Sequence, residues 1–176
     1  MKIVVLSCSL RENSRSRIMA LEAQRLLRAH GADATMLDLR QHPLPFCDGE
    51  DCDPEVLHPV ESAIESADAI LMAVPIYNYD VNAVAKNLVE QAGSAFRGKI
   101  VGFLCAAGGH GSYMSVMSLA NSLMLDFRCL IVPRFVYATG EAFAGGKIAS
   151  EKINERMGGL CAETLRVARA LARTSE

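Results

Sequence analysis

Two hydrophobic patterns alternate along most of this chain, one typical of buried strands and the other of amphipathic helices. Short runs rich in Val, Ile, Leu and Ala predict five strands, at residues 3–6, 34–39, 69–74, 100–107 and 129–132. Apolar residues three or four positions apart predict five helices, at residues 14–30, 55–66, 81–92, 112–127 and 147–173. Proline and glycine mark residues 40–54 and 141–146 as loops.

Strands that are apolar on both faces, such as residues 69–74, need helices on both sides of the sheet. Alternating strands and helices joined by right-handed crossovers favour a parallel sheet. The sequence therefore predicts a flavodoxin-like three-layer α/β/α sandwich with a five-stranded parallel sheet of order 2-1-3-4-5. No linker or internal repeat divides the chain, so we expect residues 1–176 to form a single domain.

The composition excludes several classes of protein. Hydrophobic residues make up 51% of the chain and charged residues 22%, which excludes a disordered polar chain. The 18 basic and 20 acidic residues give a net charge of −2, so nucleic acid is not an expected partner. Apolar runs fall far short of the ~20 residues that span a bilayer, and the N-terminal run is too short for a signal peptide. We therefore expect a cytoplasmic protein that has no membrane partner.

The six cysteines are expected to be free thiols in that compartment. Cys47 and Cys52 flank an acidic stretch, and two roles are open for them: a redox pair or half of a metal site. No second Cys or His pair has zinc spacing, so we predict no metal site.

In a sheet of this kind, ligands bind beyond the carboxyl ends of the strands, near the point where the strand order reverses. The loop after the first strand carries hydroxyl and guanidinium groups just before a helix N-terminus, which is an arrangement suited to a phosphate. The candidate phosphate ligands there are Ser9, Arg11, Ser14, Ser16 and Arg17.

Two further loops reach the same edge of the predicted sheet. The loop after the third strand combines aromatic rings with an amide and suits a flat heteroaromatic ring; its candidates are Pro75, Ile76, Tyr77, Asn78 and Tyr79. The loop after the fourth strand is rich in glycine, which allows a ligand to approach the backbone; its candidates are Ala107, Gly108, Gly109 and His110. Two interpretations of His110 are open, a catalytic base and a surface histidine, and the second is favoured. We therefore predict no catalytic side chain.

A phosphatase is one alternative, because low-molecular-weight tyrosine phosphatases also place a cysteine after their first strand. Their cysteine is followed by five residues and then Arg-Ser, whereas six residues separate Cys8 from Arg15 here. Their Asp-Pro pair comes late in the chain, whereas the pair here is Asp53-Pro54. Both differences weigh against that reading.

Taken together, the loops resemble those of the NAD(P)H-dependent FMN reductases, which have the flavodoxin-like fold. Cys8-Ser9-Leu10-Arg11, followed two residues later by Ser14, is similar to the family's Gly-Ser-Leu-Arg motif, with Cys8 in place of glycine. Pro75-Ile76-Tyr77-Asn78 and Lys86-Asn87 resemble its second motif, with Ile76 in place of a frequent glutamate. The resemblance is strongest over residues 1–137.

The resemblance implies that the first loop holds the FMN phosphate and that the other two border the flavin ring. It implies hydride transfer from NADPH or NADH to FMN, and then electron transfer to a flavin, quinone or similar small-molecule acceptor. A flavodoxin-like FMN electron carrier without enzyme activity is the main alternative.

We also expect a second copy of this chain as a partner. The predicted helix 112–127 is apolar nearly all round, which is more than one sheet can bury. One face carries Val116, Met117, Ala120, Met124 and Phe127, and the other faces carry Met114, Leu119, Leu123 and Leu125. Members of the family commonly form dimers through the helices after the third and fourth strands. Together with this apolar pattern, the resemblance predicts a homodimer or homotetramer.

Overall fold

A computed structural model describes residues 1–50 and 52–172 of the chain. The strands are β1 (Lys2–Ser7), β2 (Asp33–Asp38), β3 (Ala69–Tyr77), β4 (Asp80–Val81), β5 (Ile100–Ala106), β6 (Leu130–Ile131), β7 (Val136–Ala138), β8 (Phe143–Ala144) and β9 (Lys147–Ile148). The helices are α1 (Arg15–Ala29), α2 (Pro54–Glu65), α3 (Ala83–Ala92), α4 (Met117–Phe127) and α5 (Glu151–Ala172). The predicted helix end at residue 173 lies outside the described residues.

The main sheet has the order β2-β1-β3-β5-β6, and all of these neighbours pair in parallel. Strands β6 and β7 share the outermost position of the sheet, because β6 pairs with the first half of β5 and β7 pairs with its second half. Counting β6 and β7 as one interrupted strand gives the predicted flavodoxin-like order 2-1-3-4-5. The predicted α/β sandwich is thus confirmed.

Each face of the sheet buries its own hydrophobic core. One core joins the sheet to α1 and α5 through residues such as Met19 and Leu160. The other joins it to α2, α3 and α4 through residues such as Ile64, Leu88 and Leu123. Strand β5 is buried along its whole length, as expected for a central strand covered on both sides.

Local sequence explains where the first two helices begin. The Ser14 hydroxyl accepts a 3.5 Å hydrogen bond from the backbone N–H of Arg17 and caps α1. The Asp53 carboxylate caps α2 by accepting a 2.9 Å bond from the N–H of Glu55, and Pro54 occupies the first helical position. Among the described residues, no helix is long and apolar enough to cross a membrane.

The C-terminal part of the chain differs from the prediction. The predicted strand 129–132 is shortened to β6 and resumes as β7, because Pro133 between them has no N–H to donate to a ladder. The helix predicted from residue 112 begins at Met117, after a short 3-10 turn at His110–Ser112. The last helix begins at Glu151, since the residues before it form the small β8–β9 hairpin.

The two groups of apolar residues on α4 do not separate into a buried and an exposed face. Met117 and Met124 are 40% and 39% exposed, although they share a face with the buried Ala120. Leu119 and Leu123, from the other group, face the core. The helix thus leaves an apolar outer face, although its inner face is well packed.

Candidate functional site

A cavity of about 820 Å³ opens at the carboxyl edge of the sheet, where β1, β3 and β5 end side by side. This volume lies within the range of pockets that hold small molecules. All three predicted loops line it, through Arg11, Ser14, Ser16, Pro75, Ile76, Tyr77, Asn78, Tyr79, Ala107, Gly108 and Gly109. The structure adds Asn13, Arg15, Ala106, Gly111 and Ser112 to the lining. Within the described part of the chain, the lining leaves out Ser9, Arg17 and His110.

The first loop brings the N-terminus of α1 to one end of the cavity. Ser14 and Ser16 are buried, and their hydroxyl oxygens lie 2.8 Å apart. The free N–H groups of the first helical turn and the positive end of the helix dipole favour an anion here. Ser9 contributes indirectly, because its hydroxyl accepts a 3.3 Å bond from the N–H of Arg11 and shapes the turn.

The three arginines of this loop have different partners. Arg17 donates from Nε to Asp38 Oδ2 at 2.8 Å, and this pair braces α1 against the end of β2 instead of facing the cavity. Arg11 and Arg15 line the cavity, and no acidic group among residues 1–50 and 52–172 pairs with either of them. The sequence pattern pointed to Arg11 and Arg17 but not to Arg15. Its position between the two serines of Ser14-Arg15-Ser16 was the available signal.

Cys8 cannot act as a phosphatase nucleophile in this fold. The side chain is fully buried, and burial, together with the nearby Asp38 charge, raises the pKa of the thiol to about 12. Since the thiolate is the reactive form, the thiol is protonated and inert at neutral pH. The phosphatase alternative is therefore excluded on chemistry as well as on spacing.

The second loop is a tight turn between two antiparallel strands. Tyr77 of β3 pairs with Asp80 of β4, which leaves Asn78 and Tyr79 as the two turn residues. Their φ angles are 50° and 65°, as the turn between such paired strands requires. Asn adopts this left-handed conformation readily, whereas for the bulky Tyr79 it is strained. The turn places Tyr79 in the lining of the cavity, with its side chain 74% exposed.

Asn82 ties the first and second loops together. Its backbone N–H donates to the carbonyl of Pro75 at 3.1 Å, and its side-chain Nδ2 donates to the carbonyl of Cys8 at 2.7 Å. The residue is buried at the start of α3. Sequence reasoning missed this clamp, because its partner lies 74 residues away.

Hydrogen bonds from Tyr137 of β7 hold the third loop in place. The Tyr137 hydroxyl donates to the carbonyl of Gly109 and shares a 2.8 Å hydrogen bond with the Ser112 hydroxyl. A Cβ added at Gly108 or Gly109 would meet nothing within 4 Å, so both glycines face open space. His110 is exposed beside them, which favours the surface-histidine reading.

The second and third loops approach each other across the cavity. A Cβ built on Gly111 would lie 3.4 Å from the hydroxyl oxygen of Tyr79. The cavity thus has a cationic end at Arg11 and Arg15 and an end of aromatic rings and exposed backbone. Such a donor set matches a flat ring that carries a phosphate, and it therefore fits FMN.

Comparisons with known proteins agree with this geometry. The family described as NADPH-dependent FMN reductase matches residues 1–144, and the chain belongs to this family. It is an enzyme, an FMN-dependent oxidoreductase that uses NAD(P)H. The reductase reading thus prevails over an electron carrier.

Individual relatives are distant in sequence. An NAD(P)H-dependent FAD/FMN reductase of Geobacillus thermodenitrificans is 26% identical, over 76% of this chain and 74% of the relative. An FMN-dependent NADH:quinone oxidoreductase of Bordetella petrii is 28% identical, over 85% of this chain and 88% of the relative. The structure of FerB, a flavoenzyme NAD(P)H:(acceptor) oxidoreductase of Paracoccus denitrificans, superposes with a TM-score of 0.75 at 21% identity, covering 96% of this chain and 97% of that one.

The strained turn generates a stability prediction. Tyr79→Gly should raise the free energy of unfolding of the flavin-free protein by about 0.5–1 kcal/mol, because relief of the left-handed strain exceeds the entropy that glycine costs. Tyr77→Gly is the matched control; Tyr77 lies in β3 with an ordinary φ, so that variant should be less stable than the wild type. Urea unfolding of both variants measures the difference, and equal destabilisation by the two would contradict the assignment of strain.

Proposed function

We propose that this cavity holds FMN with its phosphate at the N-terminus of α1 and its ring between the second and third loops. The supporting observation is that unpaired guanidinium groups and a helix N-terminus share one cavity with two tyrosines and a glycine-rich backbone. When bound, FMN supplies the redox chemistry, accepting a hydride from the nicotinamide and passing electrons to a second substrate.

At the phosphate end, we assign binding to Arg11, Ser14 and Ser16. Arg11 offers a planar fork of donors that can meet two phosphate oxygens, and the serine hydroxyls can rotate to donate to others. Ser9 and Arg17 act as positioning residues, because one fixes the turn that carries Arg11 and the other braces α1 through Asp38.

At the ring end, the backbone of Pro75 and Ile76 and the rings of Tyr77 and Tyr79 form one wall. The Asn78 amide and the backbone of this turn are the candidate donors to the polar edge of the ring, where reduction adds negative charge. Ala107, Gly108 and Gly109 form the other wall, and His110 lies at its rim. These groups bind and orient the ring and restrict the access of water to it.

The proposed electron acceptor is a flat conjugated molecule, such as a quinone or a free flavin. The glycines of the third loop carry no side chain, and a Cβ built on Gly108 or Gly109 would meet nothing within 4 Å, so the open space in front of this wall would admit nicotinamide and acceptor in turn. The curated relatives named as quinone and flavin reductases support this class of acceptor.

Arg11→Ala tests the phosphate assignment. We expect FMN affinity to fall by about 1.5–3 kcal/mol, the scale of a lost charged hydrogen bond. Quenching of flavin fluorescence during titration of the flavin-free protein measures the change. Unchanged affinity would remove Arg11 from the site.

Steady-state kinetics test the shared opening. With FMN-loaded enzyme, double-reciprocal plots against NADH or NADPH at several quinone concentrations should give parallel lines, because the two substrates use one place in turn. Lines that intersect would mean that both substrates bind at once, and they would contradict a single shared opening.

We further propose a homodimer, or a tetramer built from it, through the outer face of α4 and the turn before it. Met114, Met124 and Leu125 are 60%, 39% and 70% exposed there, and burial of such large apolar side chains in an interface would favour association. All six cysteines are free thiols, which supports a location in the reducing cytoplasm.

Leu125→Glu tests the α4 interface. Wild-type protein at micromolar concentration should scatter light as a dimer or tetramer, and the variant should shift toward the monomer, since a carboxylate would be buried against apolar side chains. Leu21→Glu is the control, because Leu21 is another exposed leucine and belongs to α1, on the opposite face of the sheet. A monomeric wild type, or an equal shift in both variants, would contradict this interface.

A further inference from the structure

We propose that Arg15 is a second phosphate-binding residue of this cavity, held in place by Gly140 and Phe143, and that it makes the site selective for a flavin bearing a terminal phosphate. The inference rests on the proposed binding of FMN. It assigns a specificity-determining role to a residue outside the family motif on which the resemblance depends.

The position of Arg15 brings it to the anion end of the cavity. It is the first residue of α1, and it lies between the two buried serines whose hydroxyls face each other. It lines the cavity and is exposed to solvent. Arg17, two residues later, is neutralised by Asp38, so Arg11 and Arg15 supply the uncompensated cations of this loop.

The guanidinium of Arg15 is held by the segment that leads into the β8–β9 hairpin. A Cβ built on Gly140 would lie 3.0 Å from Nη1 and 3.1 Å from Nη2, so the guanidinium packs directly against the backbone of this glycine. On a neighbouring side, its Cζ lies 5.9 Å from the centroid of the Phe143 ring, within the range of a cation–π contact.

Such contacts change what the arginine can do for a ligand. A free arginine loses rotamer entropy when it binds a phosphate, whereas one already held against Gly140 and Phe143 has lost part of that entropy before binding. These contacts leave the charge of Arg15 uncompensated, because neither partner is acidic. The hairpin segment therefore acts as a positioning device for a cation at the cavity.

Charge then sets the selectivity. A phosphate monoester carries about −1.5 to −2 charges at neutral pH, which matches two guanidinium groups better than one. Riboflavin lacks this charge altogether. A site with two positioned arginines should thus favour FMN over riboflavin.

Binding titrations of flavin-free protein test this role. We expect Arg15→Ala to weaken FMN at least tenfold while changing riboflavin less than twofold. Gly140→Val should weaken FMN about threefold or more, because even its Cβ would lie 3.0 Å from Nη1 and the two methyl groups beyond it need the space that the guanidinium occupies. Unchanged FMN affinity in this variant would contradict positioning of Arg15 by Gly140. Arg97→Ala is the matched control; Arg97 is an exposed arginine just before β5, at the opposite edge of the sheet, and its loss should change neither affinity.

Each outcome bears on the inference. Unchanged FMN affinity in Arg15→Ala would overturn it, and so would an equal loss for FMN and riboflavin, which would make Arg15 a support for the ring or the fold. Thermal melts of each variant separate binding loss from unfolding. If wild-type protein binds no FMN, the proposed function fails; if the wild type binds FMN and Arg15→Ala binds it equally well, the inference alone fails.

Discussion

Parallel pairing of β1, β3 and β5 is the constraint on which the site depends. Since the three strands run in the same direction and are adjacent, their three following loops leave the sheet at one edge. Burial on both faces fixes the register of these strands, because a shift by one residue would exchange the residues packed against each core. The Asn82 clamp between the first two loops and the Tyr137 bonds to the third then set the shape of the cavity rim.

Within that frame, the distribution of charge decides where a ligand can lie. Of the three arginines in the first loop, Asp38 neutralises Arg17, and Arg11 and Arg15 face the cavity. The positive end of α1 adds to the same region. An anion is therefore favoured at one end of the cavity, whereas the tyrosine turn and glycine loop at the other end offer a surface for an uncharged ring.

Local pattern predicted most of what is local in this structure. The central strands are continuous apolar runs, and the caps of α1 and α2 are short-range hydrogen bonds, so both can be read from neighbouring residues. The roles of Arg17 and Arg15 could not be read in this way. One depends on Asp38, 21 residues later, and the other on Gly140 and Phe143 near the far end of the chain. The buried face of α4 could not be read from the sequence either, since a helix that is apolar all round has no periodicity that marks its buried face.

A crystal structure of the protein with FMN tests the central claim most directly. The account predicts the phosphate within hydrogen-bond distance of the α1 N-terminus and the Arg11 guanidinium, with the ring between the Tyr77–Tyr79 turn and the Gly108–Gly109 backbone. A flavin bound elsewhere on the molecule, or one bound in this cavity with its phosphate at the tyrosine turn, would contradict it.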